Sequence, residues 1–429
     1  MKNVQHALKS KWLPALTASL LLMAGFTVGC ETAATSAKPA SNTTTANNNS
    51  GEVKVASITS FTSSIASLGV PGYNGEQMAI EDINAHGGLL GKKIDLEKFD
   101  DNAKPNLGAQ YARQAILNDH VAAIFGPVSS AVAAAIEPIA AEKKTLVFFH
   151  TSNDINLTTK GFTKYAFQVV PNTIMESTAV AMFVKQMGWT KIATISPNYS
   201  YGRDTVENFL KTLDKVGVHY QVVAQEWPEL GTTDFSSAIS AVLAAKPQVV
   251  FSPLYGGDLA TFAKQAIGFD LFHKVNFVSQ MGPTVLQALG EQAPVGAWGY
   301  ARAPFFAIDT PGVKDFVRRY HERFGNYPNS YAIMAYTAVQ TWAYGVQKAG
   351  SFDPDKVADA IAGATIDTIR GPITIRAFDH QALVGEWTGQ ISKTPDYPFA
   401  TWTHIQYFPP EQIIESEDQS RALREGSTK

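Results

Sequence analysis

The strongest constraint in this sequence is a rhythm that runs twice. Short, continuously apolar stretches alternate with stretches of helical spacing. From residue 53 the first series predicts strands at 53–58, 94–99, 121–125 and 145–149, with helices at 75–84, 107–117 and 130–142 between them. After Pro171 it restarts. Helices at 175–187, 202–216, 235–245 and 258–267 now alternate with strands at 191–195, 220–225, 249–252 and 276–278. Strands this short and without polar alternation are buried on both faces, so they belong to parallel sheets covered by helices. Two successive series imply two doubly wound α/β lobes, and a ligand of such sheets sits beyond the carboxyl ends of the strands. Beyond Trp298 come helices at 313–324 and 331–349, then short strands at 373–375, 386–391 and 404–407. The simplest topology lets the chain return to finish both lobes.

The 429 residues suffice for two domains. A 45% hydrophobic and 17% charged composition is that of a folded globule. A net charge of -3 gives no reason to expect a nucleic-acid partner. The single cysteine, Cys30, excludes an internal disulfide. Residues 1–30 read as an export signal: Lys2, Lys9 and Lys11 precede a charge-free run from Trp12 to Gly29 centred on Leu20-Leu21-Leu22-Met23-Ala24. Thr27-Val28-Gly29-Cys30 resembles a bacterial lipobox, with Thr27 where leucine is usual. It implies lipidation of Cys30 and an extracytoplasmic body anchored to the membrane. The alternative is an uncleaved anchor, since the apolar run approaches the ~18–20 residues of a span. Residues 31–52, rich in Thr, Ala, Ser and Asn, cannot bury a core and form a flexible tether.

An ordered set of phrases carries a more specific likeness. Ala79-Ile80-Glu81-Asp82-Ile83-Asn84 runs into Gly87-Gly88-Leu89-Leu90-Gly91-Lys92-Lys93-Ile94. Then come Asp100-Asp101, Gly126-Pro127-Val128-Ser129-Ser130, Tyr201-Gly202-Arg203, Thr233-Asp234-Phe235-Ser236, Ala245-Lys246-Pro247-Gln248-Val249-Val250-Phe251 and Tyr255-Gly256-Gly257-Asp258. In order and at natural spacing, from about 53 to 408, they resemble the leucine/isoleucine/valine-binding family, type I periplasmic solute-binding proteins of ABC importers. The resemblance implies two doubly wound parallel-sheet lobes joined by a three-strand hinge. Lobe 1 is expected at 53–170 and 303–370, lobe 2 at 171–302 and 371–410, and a polar C-terminal tail at 411–429. Gly371-Pro372-Ile373-Thr374-Ile375 fits the last crossover, with Arg376 where the family commonly has an acid. Capture of an amino acid or a related small carboxylate or amide by lobe closure, and docking on an ABC permease, are the implied activity.

Site residues follow from chemistry and likeness together. Ser129 and Ser130 stand at a strand end where a helix begins, and hydroxyls beside free helix N–H groups suit a carboxylate. The same serines could only cap the helix. Ser130 matches the family's carboxylate-binding serine. His150, Thr151 and Ser152 at the next strand end match the other half of that grip, although Thr and Ser also cap local turns. Tyr255 matches a tyrosine that packs on ligand, and Tyr201 lies in a hinge-side loop that often touches it. Trp298 and Tyr300 are further candidates near a crossover. The acidic residue that holds an α-ammonium in amino-acid binders of this family falls at Gln280 or Met281, neither charged. An ammonium buried without a charged partner is costly. Hydroxy-, keto- or aromatic acids and amides therefore join the candidate ligands, with Asp258 as a substitute acid or a helix cap.

No catalytic or cofactor motif stands in the sequence: Gly-x-Ser-x-Gly, HExxH, a phosphate-binding glycine loop and metal-ligand Cys/His spacing are all missing. The expectation is a binding protein without enzymatic activity, cofactor or metal. The rival within the same fold is a sensor accessory, against which the polar stretch after Phe408-Pro409-Pro410 argues, since no membrane span follows it.

Overall fold

The computed structural model describes residues 51–426; the expected signal segment, Cys30 and nearly all of the tether lie outside the described residues. Strand β1 (Glu52–Thr59) leads into α1 (Ala66–Ala85), β2 (Lys93–Asp100), α2 (Pro105–Leu117), β3 (Ala123–Phe125), α3 (Ser130–Glu142), β4 (Leu146–Phe149) and β5 (Ala166–Gln168). These strands form one sheet in the order β2-β1-β3-β4-β5 with every pair parallel. The second series gives α4 (Thr173–Gln186), β6 (Lys191–Ile195), α5 (Ser200–Lys215), β7 (Gln221–Glu226), α6 (Ser236–Ala245) and β8 (Val249–Ser252). It goes on through α7 (Gly256–Gly268), α8 (Leu271–Lys274), β9 (Asn276–Ser279), α9 (Pro283–Leu289) and β10 (Trp298–Ala301).

The chain then returns. Helices α10 (Pro311–Phe324), α11 (Ser330–Ala349) and α12 (Pro354–Ile361) follow, with α11 against α1, β3 and β4 of the first sheet. Strands β11 (Thr365–Thr368), β12 (Gly371–Ile375) and β13 (Ala382–Leu383) make a small antiparallel sheet. Strands β14 (Glu386–Ser392) and β15 (Thr401–Phe408) extend the second sheet, whose order is β15-β14-β10-β9-β8-β6-β7. The latter is parallel from β7 to β10 and antiparallel beyond. The chain thus crosses three times between two doubly wound sheets. Residues 371–375, expected as the last crossover, instead pair with β11, which packs on α11, and the chain enters the second sheet only at Glu386.

Packing explains where the elements depart from sequence expectation. Helix α1 begins at Ala66, well before residue 75, and carries Pro71, Gly69 and Gly72 that propensity alone would disfavour. Close approach to α11 decides instead. A Cβ on Gly75 would lie 2.1 Å from the Ala332 carbonyl oxygen, so the two helices touch backbone to backbone. Helix α11 buries most of its length, with Trp342 edge-on to Phe125 at 6.0 Å. Such burial, at roughly 25 cal/mol per Å² of apolar surface, outweighs poor helix formers.

The polar segment after Phe408 folds too. It forms α13 (Pro410–Ile413) and α14 (Glu417–Glu425), the latter opened by a reciprocal cap between Ser416 and Gln419. Glu415 accepts from Asn172 Nδ2 at 3.2 Å and pairs with Arg376, which also pairs with Asp379. Gln381 donates to the Val170 carbonyl at 2.7 Å. Arg424 donates to the Phe378 carbonyl at 2.9 Å and lies over the Phe162 ring. The segment therefore clasps two of the three crossings. Among the described residues no helix is long and apolar enough to cross a membrane.

Candidate functional site

The carboxyl ends of both parallel sheets face one small cavity. From the first sheet side, Leu68, Val128, Ser130, Thr151, Asn153 and Tyr331 line it; from the second, Tyr199, Tyr201, Tyr255, Gln280 and Arg302. Each stands at an element end for a local reason. Ser130 is the first residue of α3, and Ser129 before it takes the extended cap conformation. Tyr199 and Tyr255 are the extended cap residues of α5 and α7, which aims both rings across the cleft. Gln280 and Arg302 follow directly on β9 and β10.

Five of the eight residues expected to touch ligand meet here: Ser130, Thr151, Tyr201, Tyr255 and Gln280. The other three, Ser129, His150 and Ser152, do not line the cavity. Ser129 is buried at the helix cap. His150 points inward, with Nε2 2.8 Å from Glu76 Oε1 and Nδ1 2.9 Å from Thr151 Oγ1. Ser152 donates to the Pro127 carbonyl at 2.7 Å. Asp258 accepts from the Gly231 amide at 2.8 Å in the first turn of α7 and stays outside the cavity. Trp298 packs on Phe183, with ring centroids 4.8 Å apart.

The residue that organises the polar side is one the sequence reading passed over. Glu176, in the first turn of α4, is fully buried and accepts from Tyr201 OH at 2.8 Å and Gln280 Nε2 at 3.0 Å through Oε1. Its Oε2 accepts from Arg302 Nε at 3.0 Å and Nη2 at 2.8 Å. Arg302 also donates Nη1 to the Thr151 carbonyl at 2.7 Å, which ties the second sheet to the first. Of the five N–H groups of a guanidinium, two are left for a ligand. Burial alone would lower the Arg302 pKa; Glu176 beside it, with smaller contributions from Tyr331, Tyr201 and Glu386, turns the net shift upward. Tyr199 OH lies 2.7 Å from Tyr255 OH, and burial pushes both phenols up, so they act as neutral hydrogen-bonding groups. Tyr331 is pushed up to about 12 by burial and donates to Gln280 Oε1 at 3.3 Å.

Behind Gln280, Arg302 and Tyr331 lies a second small cavity bordered by Tyr300, Ser330 and Glu386. Glu386 opens β14, is fully buried, and neither carboxyl oxygen has a hydrogen-bond partner. Burial drives its pKa well up; the neighbouring Glu176 adds to this, while Arg302 and Arg370 oppose it. One sequence signal could have pointed to Glu176: it is the only acid in α4 and lies in its first turn. None pointed to Glu386, the first residue of β14, or to Arg302, which follows the short strand β10. No metal-binding group of His, Cys, Asp or Glu exists among the described residues.

Comparison with known proteins fits this geometry. The family model for periplasmic binding proteins matches residues 52–394. The Leu/Ile/Val-binding protein BraC3 of Rhizobium johnstonii is 27% identical over 329 residues, 75% of this chain and 87% of that protein. The leucine-, isoleucine-, valine-, threonine- and alanine-binding protein of Pseudomonas aeruginosa is 25% identical, over 80% of this chain and 91% of its own. Among solved structures, an ABC-transporter solute-binding protein of Rhodopseudomonas palustris in complex with 3,4-dihydroxybenzoic acid superposes with a TM-score of 0.76. It is 22% identical and covers 86% of this chain and 99% of its own.

Proposed function

We propose that this chain, which belongs to the periplasmic binding protein family, captures a small carboxylate outside the cytoplasm and delivers it to an ABC permease. The carrying observation is the cavity that joins Ser130 and Thr151 from one sheet to Tyr201, Tyr255, Gln280 and Arg302 from the other. A ligand there touches both halves, so its contacts favour the closed arrangement. Only such differential contacts shift an open–closed equilibrium. The first helical turn at Ser130 and the spare guanidinium N–H groups of Arg302 suit an anion.

Relatives of the family are named for branched-chain amino acids or solved with aromatic acids. Between these, an uncharged Gln280 already bonded to Glu176 and Tyr201 favours an acid without an α-ammonium. The lobes we assign are residues 53–170 with 303–383, and 171–302 with 384–410; the hairpin β11–β12 goes to the first because it packs on α11. The leader ending in Gly29-Cys30 supports export and lipidation at Cys30. Loss of fatty-acid labelling in Cys30→Ala is the check on that anchor.

The experiment is thermal unfolding of the purified protein against branched, aromatic and polar amino acids, amides, and aliphatic and aromatic acids. A ligand at 100 times its Kd stabilises by about 2.7 kcal/mol, a readily measured shift in Tm. Stabilisation by acids is the expected result. Stabilisation by amino acids alone would overturn the preference for acids, and none by any small carboxylate would overturn the assignment.

A further inference from the structure

Glu386 is the one carboxyl in the site region with no partner. It is fully buried, both oxygens are orphaned, and it borders a cavity that shares Gln280, Arg302 and Tyr331 with the cleft. The Ser330 hydroxyl, which lines the same cavity, is orphaned as well. Native interiors satisfy nearly all buried polar groups, and the exceptions cluster where something else completes them. We propose that Glu386 and Ser330 form a second subsite, which hydrogen-bonds an uncharged hydroxyl at the far end of a ligand whose carboxylate is held at Ser130 and Thr151.

The chemistry selects a hydroxyl over an ammonium. A lone buried carboxylate is costly, so burial keeps Glu386 protonated, the direction that its surroundings give. A neutral carboxyl offers one O–H donor and one acceptor oxygen; a hydroxyl offers the same pair in return. An ammonium can only donate and would require Glu386 to ionise. The charges agree: Arg302 and Arg370 against Glu176 and a bound carboxylate sum to zero with Glu386 neutral. The proposal deepens the assignment of a small carboxylate and rests on it.

The test uses the full chain and calorimetric titration with matched pairs: benzoate against 3- and 4-hydroxybenzoate, and pentanoate against 5-hydroxypentanoate. At least one hydroxylated acid is expected to bind about tenfold or more tighter than its parent. That ratio should collapse to about twofold or less in Glu386→Leu and survive largely in Glu386→Gln, which keeps a donor and an acceptor. Repeating the wild-type titration in buffers of different ionisation enthalpy should find no proton released, a readout independent of how well the variants fold. Binding of parent and hydroxylated acids with equal affinity, or a ratio that survives in Glu386→Leu, overturns the proposal while leaving carboxylate capture intact. Preferred binding of leucine with release of about one proton overturns it too, because Glu386 would then be the ammonium's partner. Binding of no carboxylate removes the proposal together with the reading beneath it.

Discussion

Arg302 and Glu176 meet as a buried ion pair, Nη2 to Oε2 at 2.8 Å, with side chains 7% and 0% exposed. One follows β10 where the chain leaves the second sheet; the other lies in the first turn after the chain enters it. Removal of either partner strands the other in a low-dielectric interior. Glu176→Gln or Arg302→Met should each cost about 3–5 kcal/mol. The double variant Glu176→Gln/Arg302→Met should lose clearly less than the sum. Urea unfolding of the four proteins measures this, and additive losses would mean that the pair is not coupled.

Ser130→Ala and Tyr255→Phe test the two walls of the cleft separately. Each removes one hydroxyl, and Tyr255→Phe also breaks the 2.7 Å contact with Tyr199. A lost hydrogen bond of about 1–1.5 kcal/mol weakens affinity roughly five- to tenfold. Thermal stability without ligand should change little in Ser130→Ala and fall by about 1 kcal/mol in Tyr255→Phe, which gives up the bond to Tyr199. Unchanged affinity in both variants would move the site elsewhere.

Gly256 bears on closure itself. Its φ is +54°, and an added Cβ would lie 2.6 Å from Leu68 Cδ1 on the opposite wall. Gly256→Ala should therefore weaken ligand binding, and Leu68→Ala in the same chain should recover part of the loss. A separate penalty of about 1 kcal/mol for the left-handed backbone should remain in the unliganded protein. Calorimetric Kd values and unliganded Tm values separate the two effects.

Asp204 on α5 gives a pH signature. Burial first, and then the like charge of Asp154 near the end of β4, push its pKa from 3.8 up to about 7; Glu207 adds to the rise and Lys160 opposes it. With a raised folded pKa, the native state binds more protons than the unfolded chain between the two values. This contribution to stability is present at low pH and is lost as pH rises from about 4 to about 7, with no further change above. Asp204→Asn should flatten that part of the stability–pH curve, as followed by Tm at constant ionic strength. An unchanged slope would acquit the Asp154–Asp204 pair.

The double series of apolar strands was legible because parallel strands are buried on both faces and keep no polar alternation. Strands at 191–195 and 249–252 and the helix at 130–142 stand in the structure at the residues their sequence marks. The site was legible where the chemistry is local, as at Ser130 and Tyr255, which begin or cap helices. It was not legible where neighbours in sequence turn apart at a strand end. Thr151 reaches the cleft, while His150 and Ser152 on either side turn to Glu76 and Pro127. Nor could sequence reveal Glu386, and for Glu176 it offered only its place as the single acid of α4. Their character comes from burial and from surroundings distant in sequence: Tyr201, Gln280 and Arg302 around Glu176, and no hydrogen-bond partner at Glu386.

The clasp of residues 415–424 on the crossings has a mechanical consequence. A contact at a pivot acts on a short lever arm, so a small strain there becomes a large sweep at the mouth of the jaws. Under the proposed lobe closure, the ties from Glu415 to Asn172 and Arg376, and from Arg424 to Phe378, lie on the pivot and bear on how far the lobes can swing. Loosening them would widen the swing and lengthen the search for the shut position, with every side chain in the jaws untouched. A fusion joined directly behind α14 would load the same pivot and bias the resting angle of the whole molecule.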